Sequence, residues 1–305
     1  LVQRKILWTL LVKCRDEIKV AQAAGIVANF TSYHHGEENV SKSIVKMAQR
    51  FVGSNNLPLL KDIGQYGSRY NPNSAAASRY IFTMIEKYVE LIFRKEDHPI
   101  LEKEIVDGKE VEPKEFAPII PMLLVNGSIG IGTGWSCSIP TYTLESVIDM
   151  TMGRLSGVNI QPKRGFKGFT GEFKDEKIWG KWHMEGTTLH ITEIPLTVWI
   201  ETIEAILVKE DADFQQDHNN GIHFIVYNAN ETLIKKLQLV KPDTQNWNVF
   251  QDGVIKESSL DDVVQHHFDK RLFLYEKRKA HQLKVMETAR SALMEKIKFL
   301  EAFVQ

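Results

Sequence analysis

The chain has 305 residues, 43% of them hydrophobic, and a formal net charge of −1, enough for two domains or for one domain with a long appendage. No apolar run reaches the roughly 18 residues of a membrane helix and no basic-then-apolar leader opens the chain, so no membrane partner is expected. Its two cysteines, Cys14 and Cys137, form neither a CxxC pair nor a disulfide framework, which fits a reducing compartment. The near-neutral total hides a gradient: up to Lys95 there are 14 Lys/Arg against 7 Asp/Glu, and beyond it 24 against 32. The first third could therefore hold a polyanion, since Lys and Arg supply most non-specific nucleic-acid affinity; a solvated basic face is the alternative.

In chain order, Ile6, Leu7, Leu10 and Leu11 recur at helical spacing with no capping residue before them, as expected of a segment cut from a longer polypeptide. A break is expected at Gly25, then a second helical stretch, then Tyr33-His34-His35-Gly36-Glu37. No third His or Cys stands near that pair at ligand spacing, so it reads as a polar turn or as a donor to an anionic oxygen. From Ser41 to Val52 the residues Ile44, Val45, Ala48, Phe51 and Val52 form one stripe, with Lys42, Lys46 and Arg50 largely outside it. Ser41 would cap this helix and Gly53 end it. It suits the second helix of a helix-turn-helix, or an ordinary surface helix.

Gly64 to Ser74 is rich in glycine and asparagine and reads as a loop or β-wing, followed by Ala75 to Phe82 and a helix over Met84 to Phe93. Between the wing and that helix stands Arg79-Tyr80. A phenol with a pKa of about 10 is a poor nucleophile at neutral pH and needs cationic neighbours or a metal; Arg79 offers one fixed charge. Taken alone, such a pair is far more often a surface salt-bridge donor beside a packed aromatic, and it gains meaning only from what surrounds it. Between Phe116 and Pro140, glycines 127, 130, 132 and 134 lack both the Gly-Lys-Ser/Thr ending of a phosphate loop and a following acidic ribose partner. Ile131, between two of them, is either core or a wedge between base steps. Helices are expected over Leu144–Leu155, Val198–Val208 and Glu231–Leu239, and strands over Thr188–Ile194 and Ile222–Tyr227. Lys163 to Phe169 is a basic loop with interleaved aromatics, open to phosphate contact or simply solvated. From the capping-box-like Ser259-Leu260-Asp261-Asp262 to the end there is no Pro or Gly. One helix of more than roughly 60 Å is expected, with Met286, Leu293, Ile297, Leu300 and Val304 along a coiled-coil seam whose downstream half lies outside the chain.

Eight collinear blocks carry a resemblance: Gln3-Arg4-Lys5, Lys19-Val20-Ala21-Gln22, Tyr33 to Glu37, Phe51 to Asn56, Gly64 to Arg69, Ser78 to Thr83, Pro121 to Gly127 and Gly130 to Ser136. The chain is similar in these to the DNA breakage-reunion core of eukaryotic-type DNA topoisomerase II, more weakly after Thr143. The resemblance implies an α+β multidomain fold: a winged-helix domain over 1–116, a mixed α/β tower over 117–262 and the start of a coiled-coil arm over 263–305. It implies Tyr80 as the nucleophile that becomes linked to a 5′ phosphate, Arg79 and Arg4 at the scissile phosphate, and His35 in assistance. His34, Lys5, Arg69, Lys42, Lys46 and Lys167 would contact DNA, with Ile131 inserted between base pairs. Double-stranded DNA, a second copy of the chain and an upstream Toprim domain are the implied partners, and Mg²⁺ and ATP the implied cofactors, both bound in domains outside this chain. The nucleus, or a viral replication site, is the implied compartment. Asn71-Pro72-Asn73-Ser74 stands where the family has Gly-Gly-Lys-Asp, and Leu1-Val2 where it has Pro-Gly, departures that fit a divergent viral or protist member. The competing expectations are a non-enzymatic DNA-bending module and the bacterial-type cleavage polypeptide of gyrase or topoisomerase IV.

Overall fold

A computed structural model describes residues 1–219, 221–251 and 253–304, the side chain of residue 304 excepted. Helix α1 (Val2–Val12) leads through β1 (Ile18–Lys19) into α2 (Val20–Phe30) and α3 (Glu37–Ala48). The buried Val20, Ala23, Ala24 and Val27 of α2 meet Val40, Ile44, Met47 and Ala48 of α3 in one core. The break expected at Gly25 does not occur. Its cost in a helix interior, about 1 kcal/mol, is outweighed by burial of the apolar face around it. Likewise α3 starts four residues before Ser41 and stops at Ala48. Gly36, with φ of +85°, turns the chain into it, and Glu37 and Glu38 complement its N-terminal dipole.

The wing is a long irregular hairpin, bridged at Leu60 with Ile85, Ile63 with Phe82 and Tyr66 with Ala75, and β2 (Phe82–Thr83) joins β1. That pairing overrides the helical pattern from Met84: the Met84 carbonyl accepts from Lys61 N and Glu86 N donates to Leu59 O, leaving only α4 (Val89–Ile92) helical. A short 3₁₀ turn at Lys95–Ile100, hairpin β3 (Lys103–Val106)/β4 (Lys109–Pro113), α5 (Met122–Asn126), hairpin β5 (Ser128–Gly132)/β6 (Trp135–Ile139) and α6 (Leu144–Leu155) follow.

The core of this first body is continuous from Ile6 through Ile81, Leu124 and Val147 to Val263. The boundary expected at 116/117 therefore falls inside it. Asn56 pins the joint: its Nδ2 donates to the carbonyls of Val125 (2.8 Å) and Tyr142 (3.0 Å), and its Oδ1 accepts from Lys167 N (2.7 Å). Two of the matched blocks thus meet as structural mortar.

A second core, with Leu189, Ile191, Ile203, Leu207, Phe224 and Val226 fully buried, lies where α7 (Ile200–Lys209) and α8 (Glu231–Lys236) cover an antiparallel sheet. In that sheet β9 (Lys181–Glu185) is the edge, beside β10 (Thr188–Glu193), then β12 (Phe224–Val226) and β11 (Phe214–Gln216). A smaller sheet joins β7 (Glu172–Lys174), β8 (Lys177–Trp179) and β13 (Val240–Pro242), and β14 (Asn248–Gln251) pairs with β15 (Val254–Glu257). The capping box forms as expected, Ser259 N donating to Asp262 Oδ2 (2.8 Å) and Asp262 N to Ser259 Oγ (3.2 Å). It opens α9 (Leu260–Val304), whose foot is clamped by Asp97 through Arg271 (2.5 Å) and Arg278 (3.3 Å). Met286, Leu293, Ile297 and Leu300 are exposed along its outer length. No helix among the described residues is long and apolar enough to cross a membrane.

Candidate functional site

Tyr80 stands on a loop whose backbone is tied to the start of α2: Val20 N donates to Ile81 O (3.0 Å) and Ala21 N to Ser78 O (3.1 Å). The next side chain, Ile81, is fully buried against Gly64. At Gly64 φ is +114° and any Cβ would lie 2.8 Å from Ile81 Cγ2, so only glycine lets the two strands approach. Upon this rigid base Tyr80 itself is 66% exposed. The Arg79 guanidinium lies over its ring, 4.8 Å from the centroid, within cation–π range. An accessible phenol with one fixed cation beside it is what the Arg-Tyr pair offers chemically.

Arg4, Lys5 and His34 converge on the β3–β4 hairpin instead. Arg4 Nη2 lies 3.2 Å from Glu104 and 3.9 Å from Glu112, Lys5 Nζ donates to the carboxylate of Glu112 and to Thr31 O, each at 2.9 Å, and His34 Nε2 sits 3.2 Å from Asp107. Nearby, Lys103 Nζ lies 3.4 Å from the Trp8 ring centroid, and burial lowers its pKa to about 8. The exposed His35 ring packs edge-on against Tyr33 at 5.5 Å. Among the described residues no hydrogen bond or ion pair joins Tyr80 or Arg79 to Arg4, His34 or His35. The tyrosine loop meets the N-terminus of α2 and the histidines follow its C-terminus, on the order of 16 Å apart along the axis. Sequence reasoning does not find the three acidic partners; their signal is the charge alternation of Lys103 to Pro113 about an Asp107-Gly108 turn.

Two expected DNA contacts are structural. Lys5 is 5% exposed, and its ammonium is spent on Glu112 and Thr31. Arg69 donates to the carbonyls of Ile194 (2.8 Å), Pro195 and Leu196 (both 3.1 Å) and faces Glu193 at 3.6 Å, fastening the wing loop to the second body. Asn71, the first of the departure residues, and its neighbour Tyr70 share that role, since Asn71 Nδ2 donates to Glu201 (2.6 Å) and the Tyr70 hydroxyl to Glu204 (2.5 Å) on α7. By contrast Lys42, Lys46 and Lys167 are exposed; Lys42 pairs with Glu38 one helical turn back (2.8 Å). Ile131 is 91% exposed near the tip of the β5–β6 hairpin. Cβ positions built on Gly130 and Gly132 meet nothing closer than 3.9 Å. The wedge alternative, not the core one, fits this placement.

Comparison with known proteins supplies a family. The profile of the DNA gyrase/topoisomerase IV A-subunit matches residues 1–305. The mitochondrial DNA topoisomerase 2 of Dictyostelium discoideum is 37% identical over 98% of this chain and 25% of its own length; DNA topoisomerase 2-beta of Mus musculus is 33% identical over 99% and 21%. The crystal structure of the Plasmodium falciparum topoisomerase II DNA-binding, cleavage and re-ligation domain superposes with a TM-score of 0.84 at 31% identity, covering 92% of this chain and 42% of that one. The chain thus spans about a quarter of the length of the curated relatives it matches.

Proposed function

Since the chain belongs to the DNA gyrase/topoisomerase IV A-subunit family and is a relative of DNA topoisomerase 2 along nearly all its length, we propose that it is the DNA-breaking and rejoining core of a type II topoisomerase. Such an enzyme cuts one duplex, passes another through the gap and reseals the first. The observation that carries this is the exposed Tyr80 beside Arg79 on a loop held rigid by α2 and by buried Ile81. Tyr80 Oη attacks the phosphorus, the new P–O bond forms as the bond to the 3′ oxygen breaks, the phenol loses its proton and the 3′ hydroxyl gains one. The phosphotyrosyl ester keeps the energy of the broken bond, so the 3′ hydroxyl reseals the strand by the reverse displacement. Arg79 holds charge at the phosphate. Arg4 on α1 and His35 after the C-terminus of α2 serve the scissile phosphate in a homodimer, whose two tyrosines break the two strands.

Mg²⁺ and ATP are assigned to the Toprim and ATPase parts of the whole polypeptide. Among the described residues the one His/Cys/Asp/Glu group close enough to share an ion is His183, Glu185 and His190. Imidazole donors do not suit Mg²⁺, so this chain contributes position and charge to cleavage. Exposed Lys42, Lys46 and Lys167 hold DNA and Ile131 bends it. The nucleus is the proposed compartment, which a fluorescent fusion would locate.

The test uses the full-length parent with supercoiled DNA and Mg²⁺, quenched with detergent, followed by protease mapping of DNA-linked peptide. A linked peptide containing Tyr80, absent in Tyr80→Phe, is expected, while the 305-residue chain alone bends DNA without cutting it efficiently. Bending without any adduct from the parent would leave the architectural module as the function.

A further inference from the structure

The second body carries a histidine cluster that DNA cleavage does not use. On the edge strand β9, His183 and Glu185 are two residues apart and so share a face, and His190 on β10 is the cross-strand partner of His183. The His183 and His190 rings are stacked, with centroids 5.0 Å apart. The Glu185 carboxylate reaches both rings, its Oε1 3.4 Å from His183 Nε2 and its Oε2 3.7 Å from His190 Nε2. One ligand atom from each of the three residues falls within 4.8 Å of the other two.

We propose that His183, Glu185 and His190 form a binding site for a zinc-class divalent cation on the edge of this sheet. The spacing supports it: ligand atoms about 2.1 Å from a tetrahedral ion stand about 3.4 Å from one another, close to the 3.4 and 3.7 Å that separate the Glu185 carboxylate from the two imidazoles, with all three ligand atoms within 4.8 Å. Bringing both imidazole nitrogens onto one centre takes rotation about χ2 of His, a torsion with broad minima, in side chains that are half-exposed or more at His183 and Glu185. Two neutral imidazoles and one carboxylate select zinc, cobalt or nickel over Mg²⁺ or Ca²⁺, which prefer all-oxygen shells. Three protein ligands leave the fourth position to water or to a group from outside the chain. The ion would fasten the edge strand β9 to β10, closing the Gly186-Thr187 turn and stabilising the sheet by mass action. His223, whose ring stacks on the far side of His190 at 6.2 Å, buttresses that ring.

The experiment titrates Co²⁺ and Zn²⁺ into the metal-free 305-residue chain. Visible d–d absorption from Co²⁺ and calorimetry with Zn²⁺ are read in parallel, with excess Mg²⁺ present throughout. One equivalent bound with tetrahedral-type cobalt bands, displaced by Zn²⁺, is expected. His183→Gln should weaken binding at least tenfold and Glu185→Gln severalfold. Both positions are exposed, so each variant should melt within a few degrees of the metal-free parent. The zinc-dependent rise in melting temperature should shrink in both variants, and more in His183→Gln than in Glu185→Gln. Octahedral-type bands, binding abolished by Mg²⁺, or an affinity that His183→Gln and Glu185→Gln leave unchanged would overturn the assignment.

Discussion

Replacing Ile131 with alanine should uncouple DNA bending from folding. The side chain is 91% exposed, so its truncation removes almost no packing within the chain and the melting temperature should hold to within about 2 °C. Insertion between base pairs would take that surface out of water. Ile→Ala deletes about three carbons, each worth about 0.8 kcal/mol when buried, a loss of about 2.4 kcal/mol. At 1.36 kcal/mol per tenfold, the ratio of bent to straight complex should fall on the order of 50-fold. Affinity should fall much less, because phosphate contacts supply most of it. A duplex of about 30 base pairs labelled at both ends reports bending by energy transfer, and anisotropy of a singly labelled duplex reports binding. Ile131→Leu, which keeps the apolar volume, should retain bending to within a few fold. An unchanged bent-to-straight ratio in Ile131→Ala would refute the wedge, as would a large loss of melting temperature, which would make Ile131 a packing residue after all.

Further outcomes follow from the buried charges and the basic surface. Asp97→Asn leaves the buried Arg271 guanidinium without its carboxylate partner and should cost about 3–5 kcal/mol. Chemical denaturation would show this, with hydrogen exchange faster at the foot of α9. His267, half-buried and bonded to the backbone of Ile119, has its pKa lowered to about 4, chiefly by burial and then by Arg271. The neutral ring is therefore the folded form: its contribution is whole above about pH 6.5 and is lost as pH falls toward 4. Up to about 3 kcal/mol is at stake at 1.36 kcal/mol per unit, and His267→Gln should flatten the melting profile between pH 6.5 and 4. Arg69→Met should destabilise the joint between wing and second body yet leave the salt dependence of DNA binding intact. Lys46→Ala should leave stability intact and lower the salt slope by about 1; the reverse pattern would show that Arg69 meets DNA.

Several features were legible in the residues themselves because they depend on local chemistry. The capping box at Ser259 formed because its partners are three residues apart, and α6 ran from Leu144 to Leu155 because period and cap agree. The order of the blocks fixed the family and, with it, the candidate nucleophile. What failed were elements whose outcome depends on distant chain. Met84 to Glu86 carries a helical pattern but pairs with Leu59 to Lys61, since satisfying both strands' backbone groups outweighs a weak propensity. Lys5 and Arg69 look like DNA contacts in a basic stretch. Only folding brings Glu112 to the one and the carbonyls of residues 194–196 to the other, and a buried cation must be paired. The exposure of Ile131, the separation of Tyr80 from His35 by the length of α2, and the meeting of His183, Glu185 and His190 across two strands are likewise matters of tertiary structure. A sequence states which groups are available; the distances between groups far apart in the chain, which set their energies, exist only once the cores have closed.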